Sequence, residues 1–284
     1  MATVETLGEV QSNRDYHADH EWLSHSMLEV FRKSPAKYHA IYVAKTIPTD
    51  PPPREMILGS LTHLLVLQDE PFDRVFLLAE GCNSRRGKAW ERYVDEAAEK
   101  GLTPVLPCQY EMAIDMAGAV KKHELSMRIL DAPGPVETPI RWKDAATGLT
   151  LKCKPDKLSD NPAVDFLLNV DLKTARDPGP SPDPEVFDGF PKQAWHLGYH
   201  RQSAHYEDGV ETIATRPTKR VYVVVGNTKP HDVYVYHVKD GLLDEGRIQN
   251  AETRRQLAKC YQAGEWCRPE EISLQPLEAP PWRR

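Results

Sequence analysis

The side chains best placed to do chemistry lie in two acidic segments, Lys154-Pro155-Asp156 and Val170-Asp171-Leu172-Lys173, whose aspartates are fifteen residues apart. The second segment closes a run that reads as a buried strand. From Ala163 to Thr174 the even positions include Val164, Phe166, Leu168, Val170 and Leu172, an unbroken apolar face, and the odd positions include Asp165, Leu167, Asn169, Asp171 and Lys173. Side chains alternate across a strand, so Asp171 and Lys173 leave from the same face, about 6–7 Å apart along the backbone. A carboxylate beside an ammonium at a strand end, with a second carboxylate from the strand before it, can hold a divalent cation and manage a nucleophilic water.

Acid-x-lysine alone is weak evidence, because both residue types are common. Context strengthens it. The triplet occurs once in the chain, it ends an apolar strand, and Pro155-Asp156 ends the strand before it. That earlier strand, Gly148 to Leu158, sets Leu149, Leu151 and Cys153 against Thr150, Lys152 and Lys154, and Ser159-Asp160-Asn161-Pro162 reads as a hairpin turn into the strand at Ala163. Pairing across so tight a turn brings Asp156 to Asp171 only if the first strand bends or the register is offset. The bland alternative is a solvated hairpin carrying a surface ion pair.

Other segments bear on that choice. Glu137, in Val136-Glu137-Thr138-Pro139-Ile140, falls on the strand leading into the hairpin and offers another carboxylate. His63 sits in the apolar helix Leu58 to Leu67 and shares a face with Gly59, one turn away; a lone histidine there is otherwise a satisfied core residue. Trp195, Tyr199, Gln202 and Tyr206 recur at spacings of four, three and four on one stripe of a helix from about Pro191 to Asp208. An aromatic stripe is ordinarily core. Gln202 in its middle, flanked by Arg201 and His205, suits a wet site better.

Taken together, Gly59-x-x-x-His63, Glu137, Pro155-Asp156, Asp171-x-Lys173 and Gln202-x-x-x-Tyr206 resemble the RecB-like branch of the PD-(D/E)XK nuclease superfamily, and more narrowly the exodeoxyribonuclease VIII (RecE-type) exonucleases of phages and prophages. The resemblance extends to Leu23-Ser24-x-Ser26 with Ser34-Pro35-Ala36-Lys37-Tyr38, to Gly87-Lys88-Ala89-Trp90 and to Gly264-Glu265-Trp266. It implies Asp156, Asp171 and the Leu172 carbonyl as metal ligands, with His63 a further ligand or phosphate contact and Glu137 a second-metal ligand. Lys173 would orient or deprotonate the attacking water and stabilise developing charge; Gln202 and Tyr206 would position the scissile phosphate or brace the site. The implied cofactor is Mg²⁺, with Mn²⁺ able to substitute. The implied activity is digestion of DNA from double-strand ends, 5′→3′, leaving 3′ single strands for a single-strand annealing protein, by a homo-oligomeric ring. The alternatives are a RecB-like single-strand exonuclease or endonuclease, and a non-catalytic DNA-end-binding module.

Composition sets limits. A chain of 284 residues can bury a substantial core as one elaborated domain. No apolar run approaches a membrane span, and the N-terminus has no signal-like segment, so a cytoplasmic protein is expected. The five scattered cysteines give too few downstream thiols for the iron–sulfur cluster of some relatives, and none is expected. A net charge of −6 argues against a broad DNA-wrapping surface but not against a focused one. Arg85, Arg86 and Lys88, Lys152 with Lys154, Arg201, and Arg216 to Arg220 are the candidate basic contacts. The expected fold is α/β, a restriction-endonuclease-like core with a central mixed β-sheet flanked by helices. The expected layout is a flexible N-terminus 1–20, a single nuclease domain 21–268 and a Pro-rich tail 269–284.

Overall fold

The computed structural model describes residues 5–6, 13–49, 54–68, 70–183, 185–267 and 274, so the tail expected at 269–284 falls outside the described residues except for Leu274. A two-residue strand β1 (Glu5–Thr6) precedes helices α1 (Asn13–Ala18), α2 (His25–Lys33), α3 (Pro35–Tyr38) and α4 (Arg54–Leu67). A small parallel pair, β2 (Phe76–Leu78) and β3 (Thr103–Val105), is bridged by α5 (Lys88–Lys100). Helices α6 (Pro107–Lys122) and α7 (Glu124–Leu130) lead into β4 (Ile140–Lys143), β5 (Thr150–Cys153), β6 (Lys157–Ser159) and β7 (Leu167–Ala175). The chain continues through α8 (Gly189–His196), α9 (Tyr199–Glu211), β8 (Thr218–Gly226), β9 (Val233–His237) and α10 (Asp240–Ala263).

The central sheet runs β6-β7-β8-β9, with β7 and β8 parallel and both outer pairs antiparallel, as a mixed α/β architecture requires. Its parity sorts the two helical layers. Val170 and Leu172 of β7, with Val221, Val223 and Val225 of β8, face Met116 and Val120 of α6 and Ile129 and Leu130 of α7. The opposite parity puts Ala175, Tyr222 and Val224 against Phe190 of α8, Tyr199 of α9 and Leu243 of α10. Asn169, Asp171 and Lys173 share that second face.

Several expected elements are divided where the backbone cannot continue. The strand read over 148–158 is two: β5 pairs with β4 in one sheet, β6 with β7 in another, and Lys154-Pro155-Asp156 is the break between them. The tight turn at Ser159 to Pro162 is wrong. β7 begins at Leu167 and Lys157 pairs with Val170, so the loop takes in Ala163 to Phe166 and the register is offset. The strand expected from Val136 starts at Ile140. The helix read over 191–208 breaks at Gly198, whose φ of +74° is a left-handed turn that glycine adopts without strain, so Trp195 lies on α8 and is 44% exposed, off the α9 stripe. Met112 of α6, expected inward, is exposed, and the helix read to Leu130 breaks at His123.

The segment expected to be a flexible N-terminus is partly built into the domain. Tyr16 of α1 is buried, Lys152 donates to the Tyr16 and Asp19 carbonyls, and Arg141 pairs with Asp19 at 2.6 Å. As read from its flanks, α2 is capped by Ser24, whose Oγ accepts the Met27 N–H, with Leu23 and Leu28 buried on either side of the cap.

Where α2 meets α9, His205 lies in the core and the largely buried His25 lies beside it, ring centroids 6.0 Å apart. Burial pulls His25 down to about 3 and His205 down to about 4 from the ordinary 6.5. The unfolded chain therefore takes up protons that the folded chain refuses, and stability falls as pH drops from about 6.5 towards 4, at about 1.4 kcal/mol per pH unit per histidine. Urea unfolding at about pH 7 and about pH 5 should show this loss, and His25→Gln should reduce it. Equal stability at the two pH values would contradict the buried, neutral assignment.

Candidate active site

Asp156 stands in the gap between β5 and β6, where its Oδ2 accepts the Leu172 backbone N–H at 2.7 Å. His63 arrives from α4, 109 residues before Leu172 in sequence, with Nε2 2.6 Å from the Leu172 carbonyl oxygen and Nδ1 3.6 Å from Asp156 Oδ2. A carbonyl only accepts, so Nε2 carries the proton in that contact. Continuing the β6–β7 register would set Pro155 opposite Leu172, and proline has no N–H to give. The open edge of β7 is thus completed by two side chains of the site instead of by backbone.

One residue earlier on β7, Asp171 is 2% exposed. Its Oδ1 accepts from Arg220 Nη2 of β8 at 2.5 Å. Its Oδ2 is ion-paired with Lys173 Nζ at 2.5 Å. Lys173 in turn sits over the Tyr199 ring at 4.9 Å and the Tyr222 ring at 5.9 Å, and Arg220 over Tyr206 at 4.9 Å.

Charge in this interior is balanced group by group. Burial pushes the Asp171 carboxyl up, but the Lys173 and Arg220 cations outweigh it and hold Asp171 below the usual range. Asp156 has no such pair. Burial, reinforced by the Asp171 charge, raises its carboxyl despite His63 and the Leu172 N–H. Burial pulls the Lys173 amine down, yet Asp171 more than reverses this and holds it above its ordinary value. Burial and the two aspartates drive the Tyr206 phenol up, so it stays a neutral hydroxyl.

The donors fit a hard divalent cation. Asp156 and His63 meet at the Leu172 backbone, and Asp171, whose two oxygens face Arg220 and Lys173, precedes it on the strand; carboxylate, carbonyl and imidazole are donors of the kind such a cation takes. Among the described residues no group of three or more His, Cys, Asp or Glu side chains forms a ready-made metal cage, so any cation here would draw on the Leu172 carbonyl and on water as well.

Other expected site residues are placed differently. Glu137 has a φ of +47°, lies outside β4, and gives its carboxylate to Lys154 at 2.8 Å and to Gln68. Burial raises Glu137, but Lys154 outweighs it, so the group stays ionised as one half of an ion pair. Lys154 is correspondingly engaged inside the protein, and Lys152 is buried 1% exposed, so this pair does not make a basic DNA surface. Arg201, expected at DNA, is buried and forks onto Glu29 at 2.7 and 3.0 Å. Arg85 bonds Gln109 at 3.0 Å and stacks on Trp90, while Arg86 and Lys88 remain exposed. Gln202 lies on α9 with Oε1 buried and without a hydrogen-bond partner among the described residues.

Arg220 was legible only as the end of a basic segment. Its signal is parity: Arg220 and Tyr222 alternate with Val221 and Val223 on a strand whose partner carries Asn169 and Asp171 on the same face. An arginine inside a valine-rich strand needs a buried acid.

Among solved structures the chain is similar to a crystal structure of an Eubacterium rectale protein designated provisionally as an exonuclease, with a TM-score of 0.61 at 14% identity over 96% of each chain. At that identity the likeness is one of fold. Comparison with curated proteins finds no match. The model of the PDDEXK-like domain of unknown function matches residues 24–273, a span that takes in His63, Asp156, Asp171, Lys173 and Arg220, and the chain belongs to that family.

Proposed function

We propose that this protein is a metal-dependent deoxyribonuclease, and within that class an exonuclease that hydrolyses DNA from double-strand ends. The observation that carries the reading is that Asp156 and His63 take the N–H and the carbonyl of Leu172, the residue between the ion-paired Asp171 and Lys173. Asp156, Asp171, the Leu172 carbonyl and His63 would hold Mg²⁺, with Mn²⁺ an effective substitute because one donor is an imidazole. A divalent cation held there supplies charge neutralisation at the scissile phosphate and acidifies the attacking water.

The chain's own groups supply the rest. Lys173 stays an ammonium, held so by Asp171, and therefore acts by stabilising negative charge that develops on the phosphoryl oxygens, not by deprotonating water. Tyr199, Tyr206 and Tyr222 wall the two cations with rings, which keeps bulk water from screening them. Gln202 Oε1, buried on the helix that carries Tyr199 and Tyr206 and without a hydrogen-bond partner among the described residues, is available to orient a donor on the substrate or a water. Polarity 5′→3′, a ring assembly and hand-off of 3′ strands to an annealing protein complete the reading, on the strength of the sequence resemblance.

Two measurements test it. End-labelled linear duplex should be digested with Mg²⁺ or Mn²⁺ and not with EDTA, and a closed circular plasmid should survive. Circle cutting would instead favour an endonuclease. Asp171→Asn and Lys173→Met should each lower digestion by at least about a hundredfold while leaving the fold intact by circular dichroism. Undiminished digestion by purified, folded Asp171→Asn would sink the site.

A further inference from the structure

The β4–β5 ribbon sorts its residues by parity. Ile140, Trp142, Leu151 and Cys153 face the core, whereas Arg141 stands opposite Lys152 on the other face. Like charges directly opposite one another repel, so a face that sets an arginine beside a lysine calls for an anionic cover. The start of the chain supplies it. β1 pairs with the outer edge of β4, and Leu23 bridges to Leu151 on the outer edge of β5, so the chain joining them crosses the ribbon from edge to edge. α1 crosses on the cationic face. Lys152 donates to the Tyr16 and Asp19 carbonyls, Arg141 pairs with Asp19 at 2.6 Å, and the amines of Lys152 and Lys154 stand 4.4 and 5.6 Å from the Tyr16 ring.

The cover is acidic and lightly anchored. Residues 5–21 hold five acids, Glu5, Glu9, Asp15, Asp19 and Glu21, against one arginine, Arg14. Among the residues described from 15 to 22, Tyr16 alone is buried. The covered face also leads straight to the candidate site. Lys154 lies two residues before Asp156, and its partner Glu137 donates a backbone N–H to the Asp156 carbonyl at 3.0 Å. We propose that the stretch ahead of Leu23 is a displaceable anionic strap, and that the Arg141–Lys152–Lys154 face beneath it takes the phosphate backbone of DNA leading away from the site. The choice of DNA as the occupant rests on the nuclease reading. Phosphates would replace Asp19 and the α1 carbonyls as partners of Arg141 and Lys152, with Lys154 contributing less while it keeps Glu137. The Leu23 N–H bonds the Thr150 carbonyl and the Lys152 N–H the Leu23 carbonyl, both at 2.9 Å, so the strap swings from a fixed end.

Hydrogen exchange of the full chain reads the strap directly, with and without linear duplex, in EDTA and at low salt so that DNA binds without being consumed. Amides of 13–19 should exchange at least about threefold faster with duplex present, while those of α2 and β5 should not. Affinity separates a strap from an ordinary ion pair. Asp19→Asn and Arg141→Gln break the same contact, but the first uncovers the track and the second removes part of it. Duplex should bind about threefold tighter to Asp19→Asn, with a steeper fall of log K against log salt, and about threefold weaker to Arg141→Gln. Glu21→Gln, at an exposed side chain, measures the plain effect of losing one acid and should change binding by less than Asp19→Asn. The exchange measurement needs no variant, so it decides even where a substitution fails to fold. Duplex binding without faster exchange in α1, or both variants moving affinity in one direction, would overturn the strap and leave the nuclease reading, which digestion judges separately. Absence of duplex binding by both wild type and Asp19→Asn would overturn it as well.

Discussion

The architecture of the site depends on one peptide left without a strand beside it. Leu172 lies at the edge of β7 just past the point where β6 begins, and both its N–H and its carbonyl face that edge. A buried backbone group left unpaired costs on the order of a hydrogen bond's desolvation, about 1–3 kcal/mol. Asp156 and His63 satisfy the two groups, and in doing so they are drawn from separate parts of the chain to within reach of each other. The same constraint that completes the edge therefore assembles the candidate ligands. Pro155 is what prevents backbone from doing the job, so the proline before Asp156 works as a strand stop, not as a contact.

Once Asp156 and Asp171 are brought together, their repulsion must be answered, because two carboxylates share a low-dielectric space. Asp171 is answered by Lys173 from its own strand and Arg220 from the next, through different oxygens. Asp156 is answered mainly by a neutral donor and a histidine. This asymmetry gives the two aspartates different characters: one firmly ionised and fixed, one closer to accepting a proton. Parallel pairing of β7 with β8 makes it possible, since it sets Arg220 opposite Asn169 and Tyr222 opposite Asp171, with all four on the α9 side. An antiparallel neighbour could supply a cation there too, but the β7–β8 crossover is also what lays α9, with Gln202 and Tyr206, over the same face.

How much of this could be read from the chain follows from how local each cause is. Asp171 and Lys173 share a strand face by parity alone, and the Ser24 cap and the β8–β9 hairpin are likewise written in adjacent residues. Asp156 was legible as a residue but not as a position, because the turn residues Asp160 to Pro162 suggest a tight hairpin while the register is set by Leu158 and Val170 burying their side chains. The α8–α9 break was missed because the aromatic spacing runs through Gly198 without losing phase. Glu137, Arg201 and Lys154 were misread for a single reason: a charge in a sequence shows its sign but not its partner. Glu29, 172 residues from Arg201, is invisible to any local reading.

That last point changes where nucleic acid affinity must come from. Of the basic segments, Lys152 and Arg220 are buried, Arg216 ties back to the Val164 carbonyl at 2.7 Å, and Arg201 and Lys154 close internal ion pairs. These cations hold the fold together and are not spread out for phosphates. With a net charge of −6 the remaining surface repels a polyanion at long range. On the proposed nuclease reading, attraction is short-ranged and local, supplied where the two aspartates would take up a divalent cation beside Lys173 and so turn a negative site positive. On that reading such a protein gains little from the flank of a duplex and most from the one phosphate that enters the site, as the proposed action at an end would require.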